Sequence, residues 1–172
     1  RLGHGYDIPR MAPRAEAGQP VVICGVKIDG SDAPDFALGT VAHSDGDVVY
    51  HSVVDAILGA LAMPDIGQLF PDNDPRWRGS DSVIFMEEAY RRMRDRGYTI
   101  GNCDVTLIAQ KPRVNVEFQG STVKAAMRDN LADLLHADLD CVNIKARTHE
   151  NVDSVGECRA LECHAVVTLI KD

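Results

Sequence analysis

Residues 43–51 have the sequence HSDGDVVYH, which places two histidines, two aspartates and a serine at the start of one predicted helix. Asp45 is a plausible N-cap, and the helix is predicted to run from about residue 46 to residue 62, where Pro64 would stop it. Its apolar positions fall on one side at helical spacing: Val48, Val49, Val53, Ile57 and Leu61. A helix that needed only to be soluble would not concentrate possible metal ligands and acid–base groups in this way, so the segment indicates chemistry.

Three polar side chains share another side of the same helix, because Asp47, His51 and Asp55 are spaced at i, i+4 and i+8. A carboxylate one turn away would fix the tautomer of His51 and leave its other ring nitrogen free for a metal ion. The alternative is a solvated polar face, and periodicity alone does not decide between them. His43 precedes the helix, where free N–H groups and the helix dipole favour a phosphate. In the alternative interpretation, His43 and Ser44 bind no phosphate and are only neighbours of the residue that caps the helix.

The composition limits the class of protein. The 172-residue chain has the length of a single domain, residues 1–172, with 45% hydrophobic and 26% charged residues, as in ordinary globular proteins. The net charge of −8 argues against a nucleic-acid surface, since such surfaces carry basic stripes. No apolar run approaches the roughly 18 residues of a membrane span. The five cysteines lack a CxxC spacing and are expected to be reduced, mostly buried thiols.

Apolar periodicity divides the chain into strands and helices. Strands are predicted at residues 1–8, 21–28, 102–110, 142–147 and 160–170. Besides the helix at 46–62, one helix is predicted from residue 80 or 81 to about 96, and a third begins at 121 or 122. This order predicts an α/β domain of the layered α+β type, with a mixed sheet of four to five strands and about three helices on one face.

Several motifs follow one another along the chain. They are Gly3-His4-Gly5-Tyr6-Asp7, HSDGD at 43–47 with His51, Asp65-Ile66-Gly67, Phe70-Pro71-Asp72, DVTLIAQ at 104–110 and KARTHE at 145–150. In this order, and over nearly the whole chain, the sequence resembles the 2-C-methyl-D-erythritol 2,4-cyclodiphosphate synthases of non-mevalonate isoprenoid synthesis. The resemblance implies a homotrimer with each active site between neighbouring subunits, which binds a small-molecule diphosphate and neither nucleic acid nor membrane.

The resemblance also implies a reaction. Members of the family convert 4-diphosphocytidyl-2-C-methyl-D-erythritol 2-phosphate into the cyclic 2,4-diphosphate and CMP, as metal-dependent phosphorus–oxygen lyases. The 2-phosphate attacks the β-phosphorus of the substrate's own diphosphate. Because the nucleophile is tethered, the protein mainly positions the substrate and balances its charge. An acidic protein suits this task when its carboxylates hold cations and the cations hold the phosphates.

Individual residues acquire roles from the same resemblance. Asp7 and His51 match zinc ligands, and Glu150 matches the carboxylate that holds Mg²⁺ or Mn²⁺. His43 and Thr148 match groups that stabilise the transition state. The remaining matches are substrate-binding: Ser44 beside His43; Asp65, Ile66, Gly67, Phe70, Pro71, Asp72, Asn73 and Asp74 around the methylerythritol part; Ala109, Gln110, Lys111, Pro112 and Arg113 at the cytosine; and Arg147 and His149 beside Thr148.

The first motif departs from the family pattern, which has Asp-x-His where this chain has Asp7-Ile8-Pro9. Proline has no side-chain donor atom and no N–H, so it cannot replace the third zinc-binding imidazole. Three explanations stay open: a natural variant with fewer protein ligands, a slow enzyme that relies on the cation at Glu150, or an altered sequence at this position. The competing function is a catalytically impaired or silent homologue that binds nucleotides or isoprenoid diphosphates as a trimer.

The residues after Glu150 indicate the source. Residues 151–159, NVDSVGECR, are closer to the plant form of the family than to the Gly-Phe-x-Gly-Arg-Gly-Glu pattern of many bacterial members. Together with a start at Arg1, this predicts a plastid-type organelle protein whose transit peptide has been removed, with a bacterial cytoplasm as the alternative. Loops 9–20 and 29–40 look longer than is typical for the family and have no assigned role.

Overall fold

The computed structural model describes all 172 residues, Arg1–Asp172. Its strands are β1 (Leu2–Asp7), β2 (Arg10–Pro13), β3 (Val22–Ile23), β4 (Val26–Lys27), β5 (Leu38–Val41), β6 (Tyr98–Ile108), β7 (Glu117–Phe118), β8 (Ser121–Thr122), β9 (Val142–Arg147) and β10 (Glu162–Lys171). Its helices are α1 (Arg14–Ala17), α2 (Val48–Ala60), α3 (Ile66–Leu69), α4 (Val83–Asp95), α5 (Val123–Leu135) and α6 (Asp153–Gly156), with 3₁₀ turns at Pro75–Trp77 and Leu139–Cys141.

Four strands form the main sheet, in the order β1-β10-β6-β9. Strand β10 pairs antiparallel with β1 and β6, whereas β6 and β9 are parallel. The predicted mixed sheet of an α/β protein is therefore confirmed, with four strands. The other strands form three two-stranded ladders: β2-β5, β3-β4 and β7-β8.

The predicted strand at residues 21–28 is wrong, because this segment turns back on itself. Strands β3 and β4 pair antiparallel, and the two residues between them, Cys24 and Gly25, have φ angles of 51° and 74°. Positive φ at both central residues is the geometry of a tight hairpin turn. The apolar residues that suggested a sheet strand are buried in this hairpin instead: Val21, Val22, Ile23, Val26 and Ile28.

The predicted helices are present, and two of the three start later than predicted. The N-cap of α2 is Asp47 rather than Asp45, and its carboxylate accepts hydrogen bonds from the first turn of the helix. Helix α4 begins after Ser82 rather than after residue 80 or 81. Helix α5 begins after Thr122, whose hydroxyl accepts the N–H of Ala125, in agreement with the sequence.

The three long helices, α2, α4 and α5, have 13 residues each and pack against one face of the main sheet. Alternate strand residues on that face join a core of 37 buried residues, among them Cys103, Val105, Leu107, Cys163, Ala165, Val167 and Leu169. All five cysteines are free, and three of them are buried. The opposite face of the sheet is open. None of the six helices combines the length and the low polarity needed to cross a bilayer.

Helix α2 lies very close to β1 because β1 contains two glycines. A Cβ at Gly3 would lie 1.8 Å from the carbonyl oxygen of Ala56, and a Cβ at Gly5 would lie 1.7 Å from that of Ser52. No side chain fits at either position, as expected where two backbones meet closely. This packing places the end of β1 beside the first turns of α2, and so the glycines of the first motif position the candidate site.

Candidate functional site

The centre of the site is the junction of β1 and α2, where the two predicted zinc ligands meet. Nδ1 of His51 lies 3.4 Å from Oδ2 of Asp7, and their side chains are 18% and 32% exposed. Burial lowers the pKa of His51, but the hydrogen bond and negative charge of Asp7 more than offset that effect, so the pKa lies above its ordinary value. The carboxylate that orients His51 is therefore Asp7.

The two aspartates that share a helix side with His51 have other roles. The carboxylate of Asp47 is fully buried and accepts four backbone N–H groups, from Cys24, Gly25, Val49 and Tyr50, at 2.7–3.1 Å. It therefore joins the β3-β4 hairpin to the start of α2. Asp55 accepts the N–H of Ile66 at 2.8 Å and anchors the loop that follows α2. The expectation that a helix neighbour fixes the His51 tautomer is not met by either.

Nε2 of His51 contacts two serines instead. It lies 2.9 Å from the hydroxyl of Ser82 and 3.3 Å from that of Ser44. The Ser82 hydroxyl also lies 2.5 Å from Oδ1 of Asp45. Ser44 was expected at the site, whereas Ser82 and Asp45 were not expected as partners of the histidine. No local pattern identifies them, because Ser82 comes from a different helix, 31 residues further along the chain.

The donor set at this junction does not fit a zinc ion with three protein ligands. Position 9 is proline, which has no side-chain donor atom. No group of three or more histidine, cysteine, aspartate or glutamate side chains is arranged to hold a metal ion anywhere in the chain. Catalytic zinc usually has three protein ligands, and this junction supplies Asp7 and His51 only.

A small cavity of about 60 Å³ opens beside the junction. Seven of its lining residues were predicted as site residues: His43, Ser44, His51, Ile66, Gly67, Phe70 and Asp72. Trp77 and Phe85 complete the wall, with the ring of Phe70 centred 5.2 Å from that of Trp77 and 4.5 Å from that of Phe85. Sequence reasoning missed both aromatic residues, since apolar residues in a helical or turn segment indicate core packing first.

Four other predicted loop residues do not line this cavity. Asp65 caps α3 in a capping box with Gln68. Asp74 forms an ion pair with Arg76, and its carbonyl oxygen accepts a hydrogen bond from Nε2 of His43 at 3.0 Å. Asp74 thus orients a lining residue from outside. Pro71 and Asn73 also lie outside the lining.

A second cavity, of about 290 Å³, lies between the ends of β6 and β9. Its lining is Leu107, Ala109, Pro112, Arg113, Val114, Asn115, Ala146, Arg147 and Thr148, of which five were predicted as site residues. Val114 and Asn115 directly continue the predicted segment 109–113, so contiguity was the signal for them. The guanidinium groups of Arg113 and Arg147 give this cavity a positive edge suited to phosphate.

The remaining predicted residues surround the second cavity without lining it. The side-chain oxygen of Gln110 accepts the N–H of Asn151 at 3.1 Å. Lys111 lines a neighbouring cavity, formed with loop residues 33–36. His149 pairs with Asp153 at 2.8 Å. Glu150 is exposed and accepts a hydrogen bond from the hydroxyl of Thr148 at 3.3 Å.

Both cavities lie at the same edge of the main sheet. Asp7 ends β1, and Ile108 and Arg147 end the paired strands β6 and β9. The order β1-β10-β6-β9 puts three strand spacings, about 14 Å, between the outer two of these ends. No residue lines both cavities. The fold and the site therefore define a mixed α/β protein with a two-part small-molecule site at one sheet edge.

Comparison with known proteins identifies the family. The chain belongs to the YgbB family, whose profile matches residues 1–170. A rice protein (Oryza sativa subsp. japonica) named 2-C-methyl-D-erythritol 2,4-cyclodiphosphate synthase, chloroplastic, is 52% identical over 99% of this chain and 70% of its own length. The synthase of the same name from Proteus mirabilis is 45% identical over 100% of this chain and 98% of its own length.

A solved structure agrees with this assignment. The IspF of Plasmodium falciparum, in a CDP complex, matches with a TM-score of 0.81 and 35% sequence identity, over 100% of this chain and 96% of that one. The resemblance drawn from the motifs is therefore confirmed.

Proposed function

We propose that the protein is a 2-C-methyl-D-erythritol 2,4-cyclodiphosphate synthase of isoprenoid synthesis. The observation that carries the proposal is the 52% identity to the rice synthase over 99% of this chain. The geometry supports it, because His43, Ser44 and His51 line one cavity. Three residues of the cytosine-matching segment, Ala109, Pro112 and Arg113, line the other cavity at the same sheet edge.

In the proposed reaction, an oxygen of the substrate's 2-phosphate bonds to the β-phosphorus, and the bond from that phosphorus to the CMP oxygen breaks. CMP leaves with that electron pair, so neither water nor a redox partner takes part. This is intramolecular phosphoryl transfer by a phosphorus–oxygen lyase. The protein has to hold the tethered phosphate in line and stabilise negative charge on the transferring group.

Side chains of both cavities are suited to that work. Nε2 of His43 donates to the carbonyl of Asp74, so in the imidazolium form the Nδ1–H can donate to a substrate oxygen. The hydroxyl groups of Ser44 and Thr148 can donate to phosphate oxygens, and the lining arginines can pair with them bidentately. Each of these groups acts on the charge that develops during transfer.

Glu150 is the proposed holder of Mg²⁺ or Mn²⁺. Its carboxylate is exposed next to Thr148, which lines the second cavity. Magnesium is usually bound by one or two carboxylates together with substrate phosphates and water, so a single carboxylate at this position fits. When bound, such an ion would neutralise phosphate charge.

Zinc is the part of the family chemistry that this chain does not match. With Pro9 in place of the third ligand, we propose that zinc is held weakly by Asp7 and His51 with water or substrate, and we assign no step to it.

The proposed assembly is a homotrimer with its active sites between subunits. The open sheet face supports this proposal, because Leu2, Tyr6, Val166 and Ile170 are 67%, 44%, 36% and 58% exposed there. The separation of the two cavities also supports it. A substrate bound between two neighbouring chains can contact the first cavity of one chain and the second cavity of the other. Sedimentation velocity measures the oligomeric state directly.

The proposed location is a plastid-type organelle. The relatives from rice and Arabidopsis thaliana, at 52% and 50% identity, are named as chloroplastic. The 45% identity to a bacterial synthase leaves a bacterial cytoplasm as the alternative.

Turnover separates the proposed enzyme from the silent homologue. Incubation of the purified protein and the diphosphocytidyl substrate with Mg²⁺ and Zn²⁺ should release cyclic diphosphate and CMP in equal amounts. Binding of CMP does not discriminate, because both hypotheses use residues 109–113. Saturable CMP binding without any cyclic product would replace the enzyme hypothesis by the silent homologue.

A further inference from the structure

One side chain of the loop at residues 9–20 closes the segment that carries His43 and Ser44. Nε2 of Gln19 lies 2.9 Å from the carbonyl oxygen of Thr40 and 2.9 Å from that of Ser44. Both partners are carbonyl oxygens, which only accept, so the amide nitrogen faces them and donates one hydrogen to each. A single side chain therefore ties together the two ends of segment 40–44.

Gln19 reaches these carbonyls from a fixed position. A Cβ at Gly39 would lie 1.8 Å from the carbonyl oxygen of Gln19, so the two backbones meet with no room for a side chain. Gly39 and Thr40 both belong to β5. The half-buried side chain of Gln19 thus has its base against the strand that leads into the segment it closes.

The loop before α4 holds the other side of the same segment. The carbonyl of His43 accepts the N–H of Gly79 at 2.7 Å, and the N–H of Asp45 donates to the carbonyl of Ser80 at 2.9 Å. The carbonyl of the intervening residue accepts no backbone N–H, and its hydrogen bond is the one from Gln19. The glutamine amide therefore supplies the contact that this loop does not.

The position of this peptide group matters because the residues on either side of it face the first cavity. His43 and Ser44 both line that cavity. A partly buried carbonyl that loses its donor is stabilised by turning toward water, since an unmade hydrogen bond is costly. Such a turn would move the His43 ring and the Ser44 hydroxyl together.

We propose that Gln19 is a positioning residue that fixes His43 and Ser44 in the first cavity. The action of these two residues on a substrate phosphate rests on the proposed function, whereas the closure of segment 40–44 does not. The loop at residues 9–20 thereby contributes to the site through one side chain.

Gln19→Met tests the proposal, because methionine has nearly the same length and no hydrogen to donate. We expect kcat for cyclic diphosphate to fall roughly 10-fold, within the 10²-fold that a misplacement of about 1 Å can cost. The affinity for CMP in isothermal titration calorimetry should stay unchanged, because the cytosine-matching segment contributes to the second cavity. Amide hydrogen exchange of residues 40–47, measured by mass spectrometry on the ligand-free protein, should become faster.

Two variants accompany this measurement. Gln19→Lys is the conservative change, since its ammonium group can donate to both carbonyl oxygens, and it should recover most of the kcat and of the exchange protection. Gln119→Met is the matched control, because the amide of Gln119 donates to one loop carbonyl, that of Ser31 at 3.1 Å, and lines neither cavity. It should leave kcat and the exchange of residues 40–47 unchanged.

A double-mutant cycle separates positioning from a general loss of stability. If Gln19 acts through His43, Gln19→Met should lower kcat less in a His43→Ala background than in the wild type, because changes that act through one residue are not additive. An equal loss in both backgrounds overturns the proposal.

The proposal is also overturned if folded Gln19→Met protein keeps the wild-type kcat or the wild-type exchange of residues 40–47, or if Gln19→Lys loses as much kcat as Gln19→Met. A wild-type protein that makes no cyclic diphosphate, while Gln19→Met still accelerates exchange at residues 40–47, contradicts the proposed function and supports the closure of the segment by Gln19. The two failures are therefore distinguishable.

Discussion

Replacing Asp47 with alanine should destabilise the whole protein, because this carboxylate is the buried junction between the β3-β4 hairpin and helix α2. Its two oxygens accept the N–H groups of Cys24, Gly25, Val49 and Tyr50. Alanine leaves all four donors without a partner in a region that solvent does not reach.

The magnitude follows from the number of donors. A buried donor without a partner costs about 1–3 kcal/mol, so four of them cost about 4 kcal/mol even at the low end. The substitution also removes the desolvation cost of the buried Asp47 carboxylate, and this gain offsets part of the loss at the upper end of that range. We therefore expect a loss of at least about 4 kcal/mol, a large share of the roughly 5–15 kcal/mol that stabilises a typical domain. Urea unfolding at neutral pH, followed by circular dichroism, measures this loss.

Asp55→Ala is the matched control on the same helix. Its half-buried carboxylate accepts one backbone N–H, from Ile66, so we expect a loss of about 1 kcal/mol. Because that bond anchors a loop of the first cavity, the substrate KM should rise while the fold persists. Equal urea midpoints for the Asp47 and Asp55 variants would refute the distinction between a scaffold carboxylate and a loop anchor.

Three further changes address separate features. Pro9→His should raise zinc affinity roughly 10²–10³-fold. Four-ligand zinc sites bind the metal with about 10–16 kcal/mol, which is about 2.5–4 kcal/mol per ligand. Unchanged zinc affinity in isothermal titration calorimetry would contradict the importance given to position 9. Gly5→Ala should cost about 3 kcal/mol or more, because its Cβ would lie 1.7 Å from the carbonyl oxygen of Ser52, and a thermal transition as in the wild type would show that α2 can move away. A hydrogen bond from Arg91, outweighing burial and aided by a second arginine, lowers the pKa of Glu88 from 4.5 to about 2. The ion pair therefore stabilises the folded state above about pH 4.5, and this stability is lost as the pH falls toward 2. In urea unfolding measured against pH, Glu88→Gln should reduce the loss of unfolding free energy over this acidic range by roughly 1 kcal/mol. An unchanged loss would count against the ion pair.

Much of the secondary structure was predictable from local pattern. Helix α2 has apolar residues at helical spacing and ends before Pro64, so its existence required no tertiary information. The segment 21–28 was misassigned, because its alternating apolar residues suit a strand and a buried hairpin equally well. Positive φ at Cys24, a residue without a turn preference, gave no signal in the sequence.

The candidate site was predictable where residue identity limits chemistry, and less so where partners come from distant segments. Imidazole and carboxylate groups in the motifs were sufficient to nominate Asp7 and His51, which the structure brings to 3.4 Å. Asp47 has the same spacing from His51 as a supporting carboxylate would have, yet it turns inward to the hairpin. Spacing on a helix defines a side, and it does not define which neighbour will cover that side.

The sequence by itself determined the family, the mixed sheet and the absence of a third imidazole at Pro9, because these depend on residue identity and order along the chain. Only the tertiary structure decided that Ser82 contacts both His51 and Asp45, and that the substrate-matching residues divide between two cavities. The physical reason is that hydrogen-bond direction and cavity lining depend on atoms brought together by packing, from segments as far apart as residues 45 and 82. Close contact of β1 with α2, which two glycines permit, then fixes the distance at which Asp7 meets His51.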